Sequence, residues 1–245
     1  MMSGVTHLAP GEVHCWSADL DVPPGTSARL YAILAAEERS RSERFRYERD
    51  RRRFIVAHGV LRGLLGRYLE TQPSEIAYVY NAFGKPDLGG GGGSRLKFNL
   101  SHSGDLALIA IAPGSNVGVD LESIQARSDY PEIARCFFSS ADLGQLNACP
   151  PERYAEAFLG CWTRKEAYLK ARGVGLAVPL DSFSVPTAPG PASGPVGLDV
   201  TANDSEPARR WSFYALQPAP GHIGALAIEG TGWRLRQWQL RMLPD

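Results

Sequence analysis

The sequence predicts an α+β fold of two comparable halves, and three observations lead there. The chain has 245 residues, 44% apolar, 21% charged and 9% aromatic, the make-up of an ordinary soluble globular protein long enough for one large domain or two small ones. Short strand patterns gather before and after a few long helical patterns, which argues against a repeating βαβ sheet. Pro113-Gly114-Ser115 punctuates the middle, so the expected division is residues 1–114 and 115–245.

In order, residues 14–20 suit a first strand. The turn Pro23-Pro24-Gly25 and a helix beginning near Ser27 follow. From Arg39 to Arg53 stand eight arginines against Glu43, Glu48 and Asp50, at the start of a long amphipathic helix. Its buried stripe is Phe54, Ala57, Leu61, Leu64, Leu65 and Tyr68. Residues 76–80 read as a strand, followed by a turn over 81–86. The five glycines 89–93 then form a loop, because they bury nothing and cost too much entropy to order. Residues 96–100 alternate like a strand and 106–112 are almost wholly apolar, like a central one. Between them sits Ser101-His102-Ser103-Gly104-Asp105.

The second half opens with a short strand at 117–122. Ser139 and Asp142 then mark a helix start, and 154–171 a longer helix ending at Gly173. Strands are expected at 182–185, 211–217, 223–229 and 233–240. Residues 187–210, rich in Pro, Gly, Ser and Ala, read as a loop or weak hairpin. Cys15, Cys136, Cys149 and Cys161 form no C-x-x-C pair and are expected to be reduced and mostly buried. The N-terminal residues lack the basic and apolar regions of a secretion signal, and no window reaches the ~18 apolar residues of a membrane span, so a cytoplasmic protein is expected.

Three constellations carry chemistry. Asp120 and Glu122, two apart on a strand, point to one face while Val119 and Leu121 turn to the core. Paired carboxylates repel unless a cation joins them, and hard oxygen donors favour Mg²⁺. The plain alternative is a half-exposed strand facing solvent. On the helix of 154–171, Glu166 falls between Trp162 and Leu159 on the arc that Phe158 and Leu169 begin, interrupting the apolar face. Lys170 lies one turn on, so an i,i+4 ion pair worth about 0.3–0.5 kcal/mol is the structural alternative; it explains the pairing but not the placement. Lys165 is equally out of place, although its long stem could reach water. The third group is the arginine cluster, Lys85 in Gly84-Lys85-Pro86, and Ser101-His102-Ser103, all candidates for anion binding. The G-x-x-x-x-G-K-[ST] spacing of a nucleotide-binding P-loop is absent.

In this order the motifs resemble those of the Sfp-type phosphopantetheinyl transferases. They are the arginine-rich helix start, Phe83-Gly-Lys-Pro86, Phe98-Asn-Leu-Ser-His-Ser-Gly104, Gly118-Val-Asp-Leu-Glu122 and Trp162-Thr-Arg-Lys-Glu-Ala-Tyr-Leu-Lys170, spread over roughly residues 37 to 185. The resemblance implies a pseudo-symmetric pair of α/β subdomains with coenzyme A and Mg²⁺ in the cleft between them. Asp120, Glu122 and Glu166 would hold Mg²⁺ against the pyrophosphate, and Glu166 would be the general base for a carrier-protein serine. Lys170 would neutralise the leaving phosphate. Lys85, Ser101 and His102 would contact the nucleotide phosphates, and Arg41 and Arg53 the 3′-phosphate end.

The acceptors implied are acyl or peptidyl carrier domains of fatty-acid, polyketide or nonribosomal peptide synthases, met by a monomer. Glu38 and Phe54 depart from residues found in some members, and residues 187–245 carry no matching motif. Besides an inactive coenzyme A-binding scaffold, disfavoured by the intact Asp120, Glu166 and Lys170, two other readings compete. One is a Mg²⁺-dependent phosphotransferase or pyrophosphatase acting on a nucleoside triphosphate. The other is a nucleic-acid-binding module using residues 39–53, disfavoured because 26 basic and 26 acidic residues cancel and the aromatic residues do not alternate with the arginines as stacking platforms.

Overall fold

The computed structural model of the chain describes residues 7–89, 96–125, 127–185, 196–199 and 210–240. The first half runs β1 (Glu12–Asp19), α1 (Pro24–Ala32), α2 (Ala36–Ser42), α3 (Glu48–Leu69), β2 (Tyr78–Tyr80), β3 (Pro86–Leu88), β4 (Leu96–Ser103) and β5 (Leu106–Pro113). The second runs β6 (Val117–Ser123), α4 (Tyr130–Phe137), α5 (Ser140–Asn147), α6 (Tyr154–Arg172), β7 (Val196–Asp199), β8 (Arg210–Leu216), β9 (His222–Glu229) and β10 (Arg234–Leu240). The fold is α+β, as the sequence predicts.

The main sheets have the orders β10-β1-β5-β4 and β6-β9-β8-β7, and β2-β3 forms a separate hairpin. Each half thus opens with a strand that pairs antiparallel with the half's last hairpin strand, β1 with β5 and β6 with β9. The final strand β10 returns to lie parallel to β1.

The apolar run of β5 is explained by burial on both faces. Ala107, Ile109 and Ile111 pack toward the α3 stripe, while Leu106, Leu108, Ala110 and Ala112 meet Val117, Val119 and Leu121 of β6 in a core between the sheets. The layers are therefore helix, sheet, sheet, helix. On the outer face of the second sheet, α6 packs with Trp211, Phe213, Ala225 and Ala227. Gly118 allows that approach: a Cβ there would stand 2.0 Å from the Ala167 carbonyl oxygen and 2.4 Å from the Ala171 nitrogen.

Several expectations need correction. The arginine stretch spans two helices and their connection, not one helix start. Residues 101–103 continue β4, and α4 was not foreseen. Residues 182–185 form no strand: a 3₁₀ turn at Leu180–Ser182 is followed by backbone whose polar groups are claimed by side chains. Lys165 Nζ donates to Leu180 O (2.8 Å) and Phe183 O (2.5 Å), and Val185 N donates to Asp142 Oδ1 (3.0 Å). Lys165 does not reach water. It is fully buried in an ion pair with Asp142, 2.7 Å apart, while Asp142 also completes the expected Ser139 cap. Most of 187–210, and glycines 90–93, lie outside the described residues; within the former, β7 pairs with β8 as a hairpin. Cys136 is exposed and Cys149 half-buried, while Cys15 and Cys161 are buried. No helix among the described residues is long and apolar enough to cross a membrane.

Candidate active site

Helix α6 is enclosed on almost every side, so burial extends well beyond the apolar face that the periodicity marked. From Cys161 to Arg172 only Trp162, Glu166, Lys170 and Arg172 are less than fully buried. The first three, spaced four apart, form one open stripe. Glu166 therefore stands where the helix was left uncovered rather than inside a packed face.

That stripe lines a cavity of about 830 Å³ together with Ser101 and His102 of β4 and Asp120 and Glu122 of β6. The far wall is Cys136 and Phe137 from the end of α4 and the segment Val178–Asp181. Both halves of the chain thus contribute. The shared outward face of Asp120 and Glu122 agrees with the strand alternation, since Val119 and Leu121 are in the core.

Lys170 pairs with Asp120 rather than with Glu166. Its Nζ lies 2.5 Å from Asp120 Oδ1 and donates to Ser101 Oγ at 2.9 Å, while Ser101 Oγ donates to the same carboxylate oxygen at 3.1 Å. The second oxygen, Asp120 Oδ2, is buried without a hydrogen-bond partner. Glu122 accepts from Ser103 Oγ at 3.3 Å.

All three carboxylates are held above the ordinary range. Burial is the leading cause for each. Lys170 opposes it at Asp120, whereas the Asp120 charge adds to it at Glu122 and Glu166, with Glu122 adding further at Glu166. Such a group lacks positive charge. As placed, no three His, Cys, Asp or Glu among the described residues stand close enough to enclose an ion, and Lys170 is the cation nearest to hand for Asp120.

The basic candidates are distributed differently. His102 protonates less readily than usual, chiefly through desolvation, and also because His58, Lys170, Arg41 and Arg53 surround it with positive charge. Arg53 is drawn into a two-pronged pair with Asp21 (3.1 and 2.9 Å). The Arg41 guanidinium lies 5.4 Å from the centre of the Phe54 ring, which accounts for an aromatic residue at 54. Arg46 likewise covers Tyr47, so aromatic rings do stand among the arginines. Glu38 is buried, accepting from Arg62 Nε at 2.5 Å and from Ala35 N at 2.9 Å, beside His58. It braces α2 against α3. Lys85 lies outside the main cavity: its Nζ donates to Ala171 O (2.7 Å) and Val117 O (3.3 Å).

Sequence reasoning assigned no role to Asn99, whose Oδ1 accepts from Val119 N at 2.8 Å, and offered Ser103 only as part of an anion-binding group, whereas its hydroxyl donates to Glu122. Their signal was available. Asn99, Ser101 and Ser103 recur at period two on β4 and meet β6 at Val119, Asp120 and Glu122.

Comparison with known proteins gives this geometry its family. Residues 24–114 match the model of the N-terminal part of 4′-phosphopantetheinyl transferases, and residues 116–226 match that of the 4′-phosphopantetheinyl transferase superfamily. The 4′-phosphopantetheinyl transferase HetI of Nostoc sp. is 37% identical over 94% of this chain and 93% of its own. Sfp of Bacillus subtilis, another 4′-phosphopantetheinyl transferase, is 31% identical over 64% of this chain and 68% of its own. The chain belongs to the 4′-phosphopantetheinyl transferase superfamily. It is an enzyme that transfers the phosphopantetheine group to carrier proteins, with coenzyme A as the substrate its family uses.

Proposed function

We propose that this chain moves the 4′-phosphopantetheine arm of coenzyme A onto a serine hydroxyl of an acyl or peptidyl carrier domain of a fatty-acid, polyketide or nonribosomal peptide synthase. The observation that carries the reading is the open stripe Trp162, Glu166, Lys170 facing Asp120 and Glu122 across one cavity. Asp120, Glu122 and Glu166 are the residues that would hold Mg²⁺. They fit it through hard oxygen donors, a buried Asp120 oxygen without a donor, and the Asp120 charge, which raises the pKa of both Glu122 and Glu166. The ion, when bound, supplies positive charge to the pyrophosphate and its leaving oxygen.

Glu166, directly or through a water it holds, takes the serine proton, a role suited by a pKa already above the carboxylate range. The serine oxygen attacks the β-phosphorus as the bond to the bridging oxygen breaks. Adenosine 3′,5′-bisphosphate then departs with that bonding pair. The Lys170 ammonium offsets the charge gathering on this leaving group. Ser101 and His102, on the same cavity wall, contact the nucleotide phosphates, and Arg41 with Arg53 grips the 3′-phosphate end through charge-assisted hydrogen bonds.

The chain works as two halves, 1–114 and 115–245, that meet at this cavity. One chain supplies every group named, which supports action as a monomer, and we place it in the cytoplasm. The test is incubation with coenzyme A, Mg²⁺ and a panel of apo-carrier proteins, read by intact mass. A phosphopantetheine adduct on the carrier serine is expected. No adduct on any carrier, with turnover of a nucleoside triphosphate instead, would overturn the reading.

A further inference from the structure

The turn Asn81–Pro86 makes contacts that a phosphate-binding role does not explain. It is built around Asn81, whose Oδ1 accepts from the backbone nitrogens of Phe83 (3.0 Å) and Lys85 (2.9 Å). Its two outward-reaching groups both go to the C-terminal end of α6. Asn81 Nδ2 donates to Gly173 O at 2.7 Å. Lys85 Nζ donates to Ala171 O and, across the base of β6, to Val117 O. An ammonium and an amide placed on the last free carbonyls of a helix satisfy its unpaired acceptors and complement its dipole. The fit is close: a Cβ on Gly173, already in the left-handed region at φ +68°, would stand 2.8 Å from Asn81 Nδ2 and 2.8 Å from Lys85 Cδ. Burial lowers the Lys85 pKa to about 8, as expected of a group withdrawn from water.

The carbonyl held by Lys85 belongs to the residue next to Lys170. Four residues before Lys170 on the same stripe is Glu166.

We propose that Asn81 and Lys85 are positioning residues. From the first half of the chain they clamp the end of α6, and they act on the reaction through Lys170 and not through a contact with coenzyme A. This rests on the reading that α6 carries the reacting groups, and it reassigns Lys85 from the phosphate contact that the family resemblance implies. Asn81 separates the two roles, because a neutral amide turned toward a helix end contributes to the clamp and has no charge to offer a phosphate.

The experiment compares Asn81→Ala, Lys85→Met, the double variant and Lys85→Arg in the full-length enzyme. Hydrogen exchange is read at the amides of residues 170–174, coenzyme A affinity by calorimetry, and kcat and KM with a carrier that the parent modifies. A clamp predicts exchange at 170–174 at least tenfold faster in both single variants. It also predicts kcat lowered about tenfold in each, a double variant little worse than either, coenzyme A affinity within threefold of the parent, and partial recovery in Lys85→Arg. If Lys85→Met instead loses coenzyme A affinity by tenfold or more while Asn81→Ala matches the parent, or if exchange at 170–174 is unchanged in either single variant, the clamp is wrong. A parent enzyme that modifies no carrier would count against the function proposed above, while the exchange data would still decide the clamp.

Discussion

Asp120 is only 4% exposed, yet it carries a carboxylate, and that tension sets the pH behaviour of the site. Asp120, Glu122 and Glu166 all have folded-state pKa values above their ordinary ones. A raised carboxylate pKa means that the protonated form suits the fold. Its contribution to stability is therefore present below the unfolded value, ~4 for such groups, and is lost as pH rises through the folded value. Glu166→Gln removes one of the three charges. Its melting temperature, measured without divalent cations, should exceed the parent's by a margin that widens as pH rises from ~4 toward neutrality. Added Mg²⁺ should narrow the margin, because it compensates the charge that the variant lacks. A margin that is flat in pH and indifferent to Mg²⁺ would mean that the three carboxylates do not share a cation. Transfer activity should rise over the same interval, since the proposed base and ligands must be ionised. Asp120 and Glu122 stood out in the sequence because a carboxylate pair on one strand face needs an explanation. The bond from Lys170 to Asp120 did not, since residues 50 apart meet only through the packing of α6 on β6.

That packing is a property of elements, and its narrowest point is Gly118. Adding a methyl there sets a Cβ against two backbone atoms of α6, which cannot rotate away as a side-chain tip can. Gly118→Ala should cost at least the upper end of the ~1–3 kcal/mol typical of overpacking, and should slow transfer because α6 carries Glu166 and Lys170 away from β6. Gly63 is the natural comparison: it lies inside α3 with nothing within 4 Å of a built Cβ. Gly63→Ala should therefore stabilise by about 0.5–1 kcal/mol. Urea unfolding of both variants checks the pair, and equal effects would refute the close-approach account. At this scale the sequence was read well where one local rule governs, as in the apolar β5 and the Ser139 cap. It was misread where side chains from elsewhere take the backbone's hydrogen bonds, as Lys165 and Asp142 do along 180–185.

Over the whole molecule, two like halves stack their sheets face to face, with α3 and α6 on the outside. The cavity forms where β4 of one half meets β6 of the other. The two-part plan was visible in the order of elements. The return of β10 to pair in parallel with β1 was not, because nothing local in residues 234–240 names a partner more than two hundred residues away. The proposed chemistry depends on this assembly, since the proposed base comes from α6, its charge partners from β6 and the proposed phosphate contacts from β4. The most direct test of that account is the rate at which Glu166→Gln modifies an apo-carrier at saturating coenzyme A, carrier and Mg²⁺, beside the parent. The account predicts a loss of about 10²–10⁴ in rate with a melting temperature no lower than the parent's. A rate near the parent's would contradict it and remove Glu166 from the chemistry.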